Sequence, residues 1–167
     1  LDRFYVCPVC TPTRAGMLTG RYPIRFGMQR AVCRPFLEVG LPPEETTVPE
    51  MLAQAGYSAR AAIGKWHVGH AFDRFHPLNQ GFSFFYGHYN GAIDYFTLKR
   101  EKERDWHRNE ETCPDEGYST DLIGREAVRF IEASQPGEPF FLYVPFNAPH
   151  TPFQARDEDI AKYAQIE

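Results

Sequence analysis

Cys10-Thr11-Pro12-Thr13-Arg14-Ala15-Gly16-Met17-Leu18-Thr19-Gly20-Arg21 is the run from which the rest of this chain is best read. Pro12 stands where a helix can start, because the N–H it lacks would find no intrahelical partner in the first turn. Gly20 and Pro23 stop the helix, so the spacing predicts it over about residues 12 to 19. A residue at the head of such a helix sits among free N–H groups and the positive end of the dipole, which favours an anion there. Cys10 has that place, and Arg14, one turn along, can lean back toward it. Upstream, Arg3 to Val6 reads as a strand running into Cys10.

Outward from this run, Thr47-Val48-Pro49-Glu50 has the form of a capping box, with Val48, Met51, Leu52 and Ala55 on one helical face and Gly56 as the stop. Ser58 to Ile63 and Gly81 to Tyr86 read as strands, the latter with Phe82, Phe84, Phe85 and Tyr86 as core. Leu98 to Glu116 is charged and reads as a solvated excursion. A third helix begins near Ser119-Thr120 and carries Leu122, Ile123, Ala127, Phe130 and Ile131 at helical spacing. Pro139 to Pro145 reads as a buried strand, and Ala161 to Glu167 as helical. Helix followed by apolar strand, twice, predicts an α/β fold with a mostly parallel sheet flanked by helices. In such sheets ligands sit at the carboxyl ends of strands. Three polar clusters follow predicted strands: Cys10 to Arg14, Lys65 to His67, and Asn147 to His150.

Cys10 has competing readings. A lone cysteine is by default a buried thiol. Cys7-Pro8-Val9-Cys10 is also a CxxC, the spacing of a redox pair or of half a zinc site. No second CxxC exists to complete a zinc site, and the TPTRAGMLTGR that follows is not a thioredoxin-like context. By count the four cysteines could form two disulfides, but their spacing is not that of a small disulfide scaffold.

C-x-P-x-R followed by Leu18-Thr19-Gly20-Arg21 resembles the signature of the type I sulfatases, which have an alkaline phosphatase-like catalytic domain. The resemblance implies that a formylglycine-generating enzyme oxidises Cys10 to formylglycine. A hydrated aldehyde carries two hydroxyls on one carbon: one attacks sulfur and expels the alcohol, and the second collapses to the aldehyde and expels sulfate. Gly64-Lys65-Trp66-His67-Val68-Gly69 resembles a second block of the family. In an extended segment Lys65 and His67 face one side and Trp66 the other. By resemblance Lys65 binds sulfate and His67 contacts the formylglycine hydroxyls. The interval from Gly56 to Lys65 is one residue longer than is usual in the family, which implies a bulge before Gly64. Asn147-Ala148-Pro149-His150-Thr151-Pro152 resembles the family's histidine loop, where His150 would bind sulfate or protonate the leaving alcohol. His88 and Asn90 are candidates for shaping the substrate pocket, while His70, His76 and His107 have no motif.

The family also holds calcium, a cation that takes oxygen ligands. Of its ligands only residue 10, as formylglycine, has a counterpart here; the others are expected outside this chain. Residues 1–167 are thus expected to be a catalytic-domain fragment lacking N- and C-terminal portions. A sulfated small molecule or glycan is the implied substrate, and a secreted, periplasmic or lysosomal location is implied by resemblance alone. Two alternatives remain: a phosphate or phosphonate monoester hydrolase using the same nucleophile, or a truncated chain that only folds or binds. A net charge of −4 argues against nucleic acid, and no apolar run reaches the roughly 20 residues that span a bilayer.

Overall fold

A computed structural model describes residues 2–166. Its first helix, α1 (Cys10–Thr19), starts two residues earlier than Pro12: Val9 is the extended N-cap, and Cys10 is already helical. Gly20 closes it in the left-handed conformation that a glycine adopts without a Cβ penalty. Helix α2 (Val48–Gln54) has the expected capping box: Glu50 N–H donates to Thr47 Oγ1, and Thr47 N–H donates to the Glu50 carboxylate at 2.7 Å. Its apolar face is less covered than the pattern implied, since Met51 and Ala55 are exposed.

The strands are β1 (Ala59–Lys65), β2 (Phe84–His88), β3 (Lys99–Arg100), β4 (Glu103–Arg104), β5 (His107–Arg108), β6 (Glu111–Thr112) and β7 (Phe140–Tyr143). Helices α3 (Ser119–Ala133) and α4 (Asp157–Ala161) complete the order. The main sheet runs β6-β5-β2-β1-β7, and β3 and β4 form a separate hairpin. β1 pairs in parallel with β2 and with β7, whereas β5 and β6 add as an antiparallel ribbon, so the sheet is mixed.

Alternation along the strands builds two core layers, because successive side chains point to opposite faces. Ala61, Ile63 and Tyr86 pack with Trp106 against Leu122, Ile123 and Ala127 of α3. Ala62 and Phe85 pack with Trp66 and Phe82 against Ala15 and Leu18 of α1. Each large apolar side chain buried this way contributes about 1.5–3 kcal/mol, so both helices are held by the sheet rather than by their own propensity.

Several expectations are corrected. Arg3 to Val6 forms no strand; Phe4, Tyr5 and Val6 are exposed and pair with nothing among the described residues. The first polar cluster therefore does not follow a strand, although the second follows β1 and the third follows β7. Leu98 to Glu116 is not simply solvated: Leu98, Asp105, Trp106 and Cys113 are buried, because this segment supplies β3 to β6 and covers one sheet face. β7 is an edge strand with half-buried side chains rather than a buried one. No bulge precedes Gly64, since β1 and β2 stay in register from Ala61↔Phe84 to Lys65↔His88. The helix at the end stops at Ala161 and continues in turns; Glu167 lies outside the described residues. All four cysteines are free thiols.

At their carboxyl ends the three parallel segments approach unusually closely. A Cβ on Gly64 (φ +135°) would lie 2.2 Å from the Pro145 carbonyl oxygen, and one on Gly87 (φ +143°) 2.0 Å from that of Gly64. Only glycine fits there, and the close approach brings the loops after β1, β2 and β7 together.

Candidate active site

Those loops and the head of α1 enclose one cavity of ≈690 Å³, lined by Cys10, Cys33, His67, Gly91, Arg100 and His150 among others. Three of the five residues singled out in the sequence, Cys10, His67 and His150, thus face one space. Arg14 borders a second hollow behind Cys10 with Tyr143 and Pro145. Its guanidinium donates through Nη1 to the Lys65 carbonyl at 2.6 Å and to the Tyr143 hydroxyl at 3.1 Å, so it ties α1 to the ends of β1 and β7. Arg14 Nε is buried without a partner among the described residues.

Lys65 ends β1 and is only 2% exposed. Burial and the neighbouring Arg14 charge lower its pKa to about 8, against a smaller upward pull from Cys10. Its ammonium is in no ion pair among the described residues, so a cation is held there without a carboxylate. That arrangement favours an incoming anion.

His67 does not continue the extended run. Its φ of +56° is left-handed, a conformation that histidine tolerates better than most residues. Two main-chain bonds hold it: His67 N–H donates to Tyr89 O at 3.1 Å, and Thr11 Oγ1 donates to His67 O at 2.8 Å. Alternation therefore does not set its direction; the turn aims it into the cavity. Burial and the charges of Lys65, Arg14 and His88 lower its pKa to about 3, so the ring is neutral near pH 7. Gly91 makes room for it, since a Cβ there would lie 2.3 Å from the ring.

His150 is exposed on its loop, with Nδ1 2.8 Å from the Thr151 carbonyl. The loop is moored by the Tyr95 hydroxyl, which donates to His150 O at 2.7 Å. Asn147 is buried, with neither side-chain polar atom bonded among the described residues.

His88 and Asn90 do not line the cavity, contrary to expectation; they lie behind it. His88 is fully buried, stacks on Trp106 at 6.2 Å, and is the register partner of Lys65. Burial comes first in lowering its pKa to about 4, against the pull of Asp105. Asp105 accepts from Tyr89 N–H, Asn90 N–H, Asn90 Nδ2 and His107 Nε2, and these bonds hold its carboxyl below the usual range despite burial. His70, His76 and His107 gather around Tyr89, by stacking or through the Tyr89 hydroxyl, and belong to packing.

Sequence reasoning missed Cys33 and Gly91. Cys33 N–H donates to Thr11 Oγ1 at 3.1 Å, so one threonine hydroxyl joins the Cys33 loop to the His67 turn beside Cys10. Burial pushes the Cys33 thiol up to about 11, which keeps it protonated and unreactive. Nothing in the spacing announces that meeting.

Among the described residues no group of three or more His, Cys, Asp or Glu side chains is placed to hold a metal ion. The side chains around Cys10 are mainly basic or neutral nitrogen groups. They suit an oxyanion and do not by themselves form the oxygen cage that calcium requires.

Comparisons with known proteins agree with this geometry. The Sulfatase family model matches residues 1–167. The chain is 33% identical to mouse arylsulfatase J over 99% of its own length, and 35% identical to human N-acetylgalactosamine-6-sulfatase over 89%. It spans only 29% and 32% of those two relatives. Among solved structures, Ps i-CgsB in complex with k-i-k-neocarrahexaose superposes with a TM-score of 0.87 at 34% identity, covering 98% of this chain and 40% of that one. A protein solved with its substrate D-glucosamine-2-N,6-O-disulfate superposes at 0.75 with 25% identity, covering 97% and 29%. The chain belongs to the sulfatase family.

Proposed function

We propose that this chain is part of a longer catalytic domain that hydrolyses sulfate monoesters, with Cys10, converted to formylglycine, as its nucleophile. One observation carries the reading: residue 10 heads α1 and opens into the same cavity as His67 and His150, while Arg14 borders the hollow behind it and bonds the carbonyl of the buried Lys65. Formylglycine supplies the attacking oxygen and the second hydroxyl that later releases sulfate. The chain's own residues do the rest. Lys65 meets the sulfate charge in a dry setting where a cation acts strongly. Arg14 holds the carboxyl end of β1 against α1 and adds positive potential. Neutral His67 positions residue 10 by donating or accepting at its hydroxyls. His150, on the exposed side, holds a sulfate oxygen or gives a proton to the leaving alcohol.

One relative is named for a sulfated sugar and another for aryl sulfates, and a solved neighbour holds a disulfated glucosamine as its substrate, so a sulfated small molecule or glycan is the substrate class proposed here. A formylglycine-generating enzyme is the proposed partner. Calcium, if bound, would need further oxygen ligands from outside these residues, and would there supply positive charge against the sulfate. Among the described residues no helix is long and apolar enough to cross a membrane. A secreted, periplasmic or lysosomal location is proposed from the resemblance.

Co-expression with a formylglycine-generating enzyme, followed by mass spectrometry of the Cys10 peptide, tests the proposal. Conversion of the motif cysteine removes roughly 18 Da, the difference between CH₂SH and CHO. The modified enzyme should then hydrolyse 4-nitrophenyl sulfate far faster than 4-nitrophenyl phosphate. An unmodified Cys10 under conditions that convert a control, or preference for the phosphate, would refute it.

A further inference from the structure

The far wall of the cavity is built by two segments that the mechanism does not use. One is the loop Val32-Cys33-Arg34-Pro35-Phe36; the other is the tip of the β3–β4 hairpin, Arg100-Glu101. Arg34 and Arg100 both line the space that holds Cys10, His67 and His150. Neither guanidinium is in an ion pair or a side-chain hydrogen bond among the described residues. Arg100 Nε is enclosed and unpartnered, although Glu103 stands opposite it in the hairpin register.

The hairpin is fixed from below. Leu98 is fully buried with φ +59°; its N–H donates to Asp94 O at 3.0 Å, and its carbonyl accepts from Asp105 N–H at 3.0 Å. A bulky residue in that conformation is strained, and persists because burial and both bonds over-determine it. The tip is thus presented to the cavity by an anchored base. Beside it, Pro35 and Phe36 are exposed, giving an apolar rim.

A cavity of ≈690 Å³ holds much more than one sulfate group, so the alcohol portion of the ester occupies this side. Arginine's planar fork matches sulfate and carboxylate in a two-point contact; Arg100 is half-buried and unpaired among the described residues, and Arg34 stands exposed at the cavity edge, free to close on the same group. Resting on the sulfatase reading above, we propose that Arg34 and Arg100 form a second anion subsite, which selects sulfate esters whose alcohol carries a further sulfate or carboxylate. Glu101 opposes this charge and tempers the affinity.

The test compares three substrates of the modified enzyme: 4-nitrophenyl sulfate, a monosulfated disaccharide, and its disulfated counterpart. Arg34→Ala and Arg100→Ala should each lower kcat/KM for the disulfated sugar by about 10-fold or more, mainly through KM, while the other two substrates change by less than about twofold. Arg100→Lys should recover part of the loss, and Glu101→Gln should lower KM for the disulfated sugar. Equal losses on all three substrates, or unchanged discrimination, would overturn the subsite. If the wild-type enzyme hydrolyses none of them, the sulfatase reading fails. Calorimetric binding of the disulfated disaccharide to wild type and to Arg100→Ala then decides the subsite separately, and equal affinity or no binding rejects it.

Discussion

Replacing Lys65 with methionine should stabilise the protein while disabling it. Lys65 is 2% exposed, has no carboxylate partner among the described residues, and lies against Arg14. Its pKa falls from the ordinary 10.5 to about 8. At ~1.36 kcal/mol per pH unit, that drop means the buried ammonium costs about 3 kcal/mol wherever the folded state carries it. The sign follows from proton binding. Between about pH 8 and 10.5 the unfolded chain holds the lysine proton and the folded chain does not, so stability rises with pH there. Below pH 8 both states hold it, and the full cost applies. Urea unfolding of Lys65→Met at pH 7 should therefore show a gain of about 3 kcal/mol over wild type. That gap should close as pH rises from about 8 toward 10.5. Comparing the two proteins at each pH cancels the buried thiol and tyrosines, which titrate in the opposite sense in a similar range. Sulfate should stabilise wild type and leave the variant nearly unmoved. Turnover should fall by about 10²-fold or more, the scale of losing one transition-state stabiliser. A variant no more stable than wild type at pH 7, or a gap that ignores pH, would refute the argument that an uncompensated cation is stored for the substrate.

His67→Ala and His150→Ala should each reduce aryl sulfate turnover by about 10²-fold, and kinetics close to wild type in both would show that the wrong side chains were chosen. The exposed His150 should cost no stability, so its melting temperature should match wild type. Gly91→Ala places a methyl 2.3 Å from the His67 ring; it should lower kcat by about tenfold or more while the protein still folds, and unchanged kcat would mean that His67 has room to give way. The pH profile of kcat/KM should fall above about 8 as Lys65 loses its charge, and Lys65→Arg should move that limb upward if it retains activity; a limb that stays in place would exclude Lys65 as its source.

The sequence by itself determined the family signature and most of the local elements. The LTGR tail and the C-x-P-x-R run identified the head of α1, and Thr47 and Glu50 gave the capping box at its observed position. Lys65, His67 and His150 stood out as candidates because each lies in a short block whose residue types and spacing carry meaning without any distant contact. What only the tertiary structure decided are meetings between residues far apart in the chain. Leu98, Trp106 and Cys113 are single apolar positions in a polar stretch, with no period to mark them; they are buried because α3 and the strands β1 and β2 leave a face to be covered. Gly64 and Gly87 adjoin only through the β1–β2 register, which also sets His88 beside Lys65. Arg14 was expected to lean toward Cys10, yet its guanidinium reaches the Lys65 carbonyl and Tyr143, partners that exist only once β1 and β7 have paired. Thr11 joins Cys33 to His67 across 22 and 56 residues. Propensity, capping and motif spacing act over a few residues and can be read in order along a chain. Register, burial and charge proximity are set by which surfaces the whole fold removes from water, and no local pattern records that.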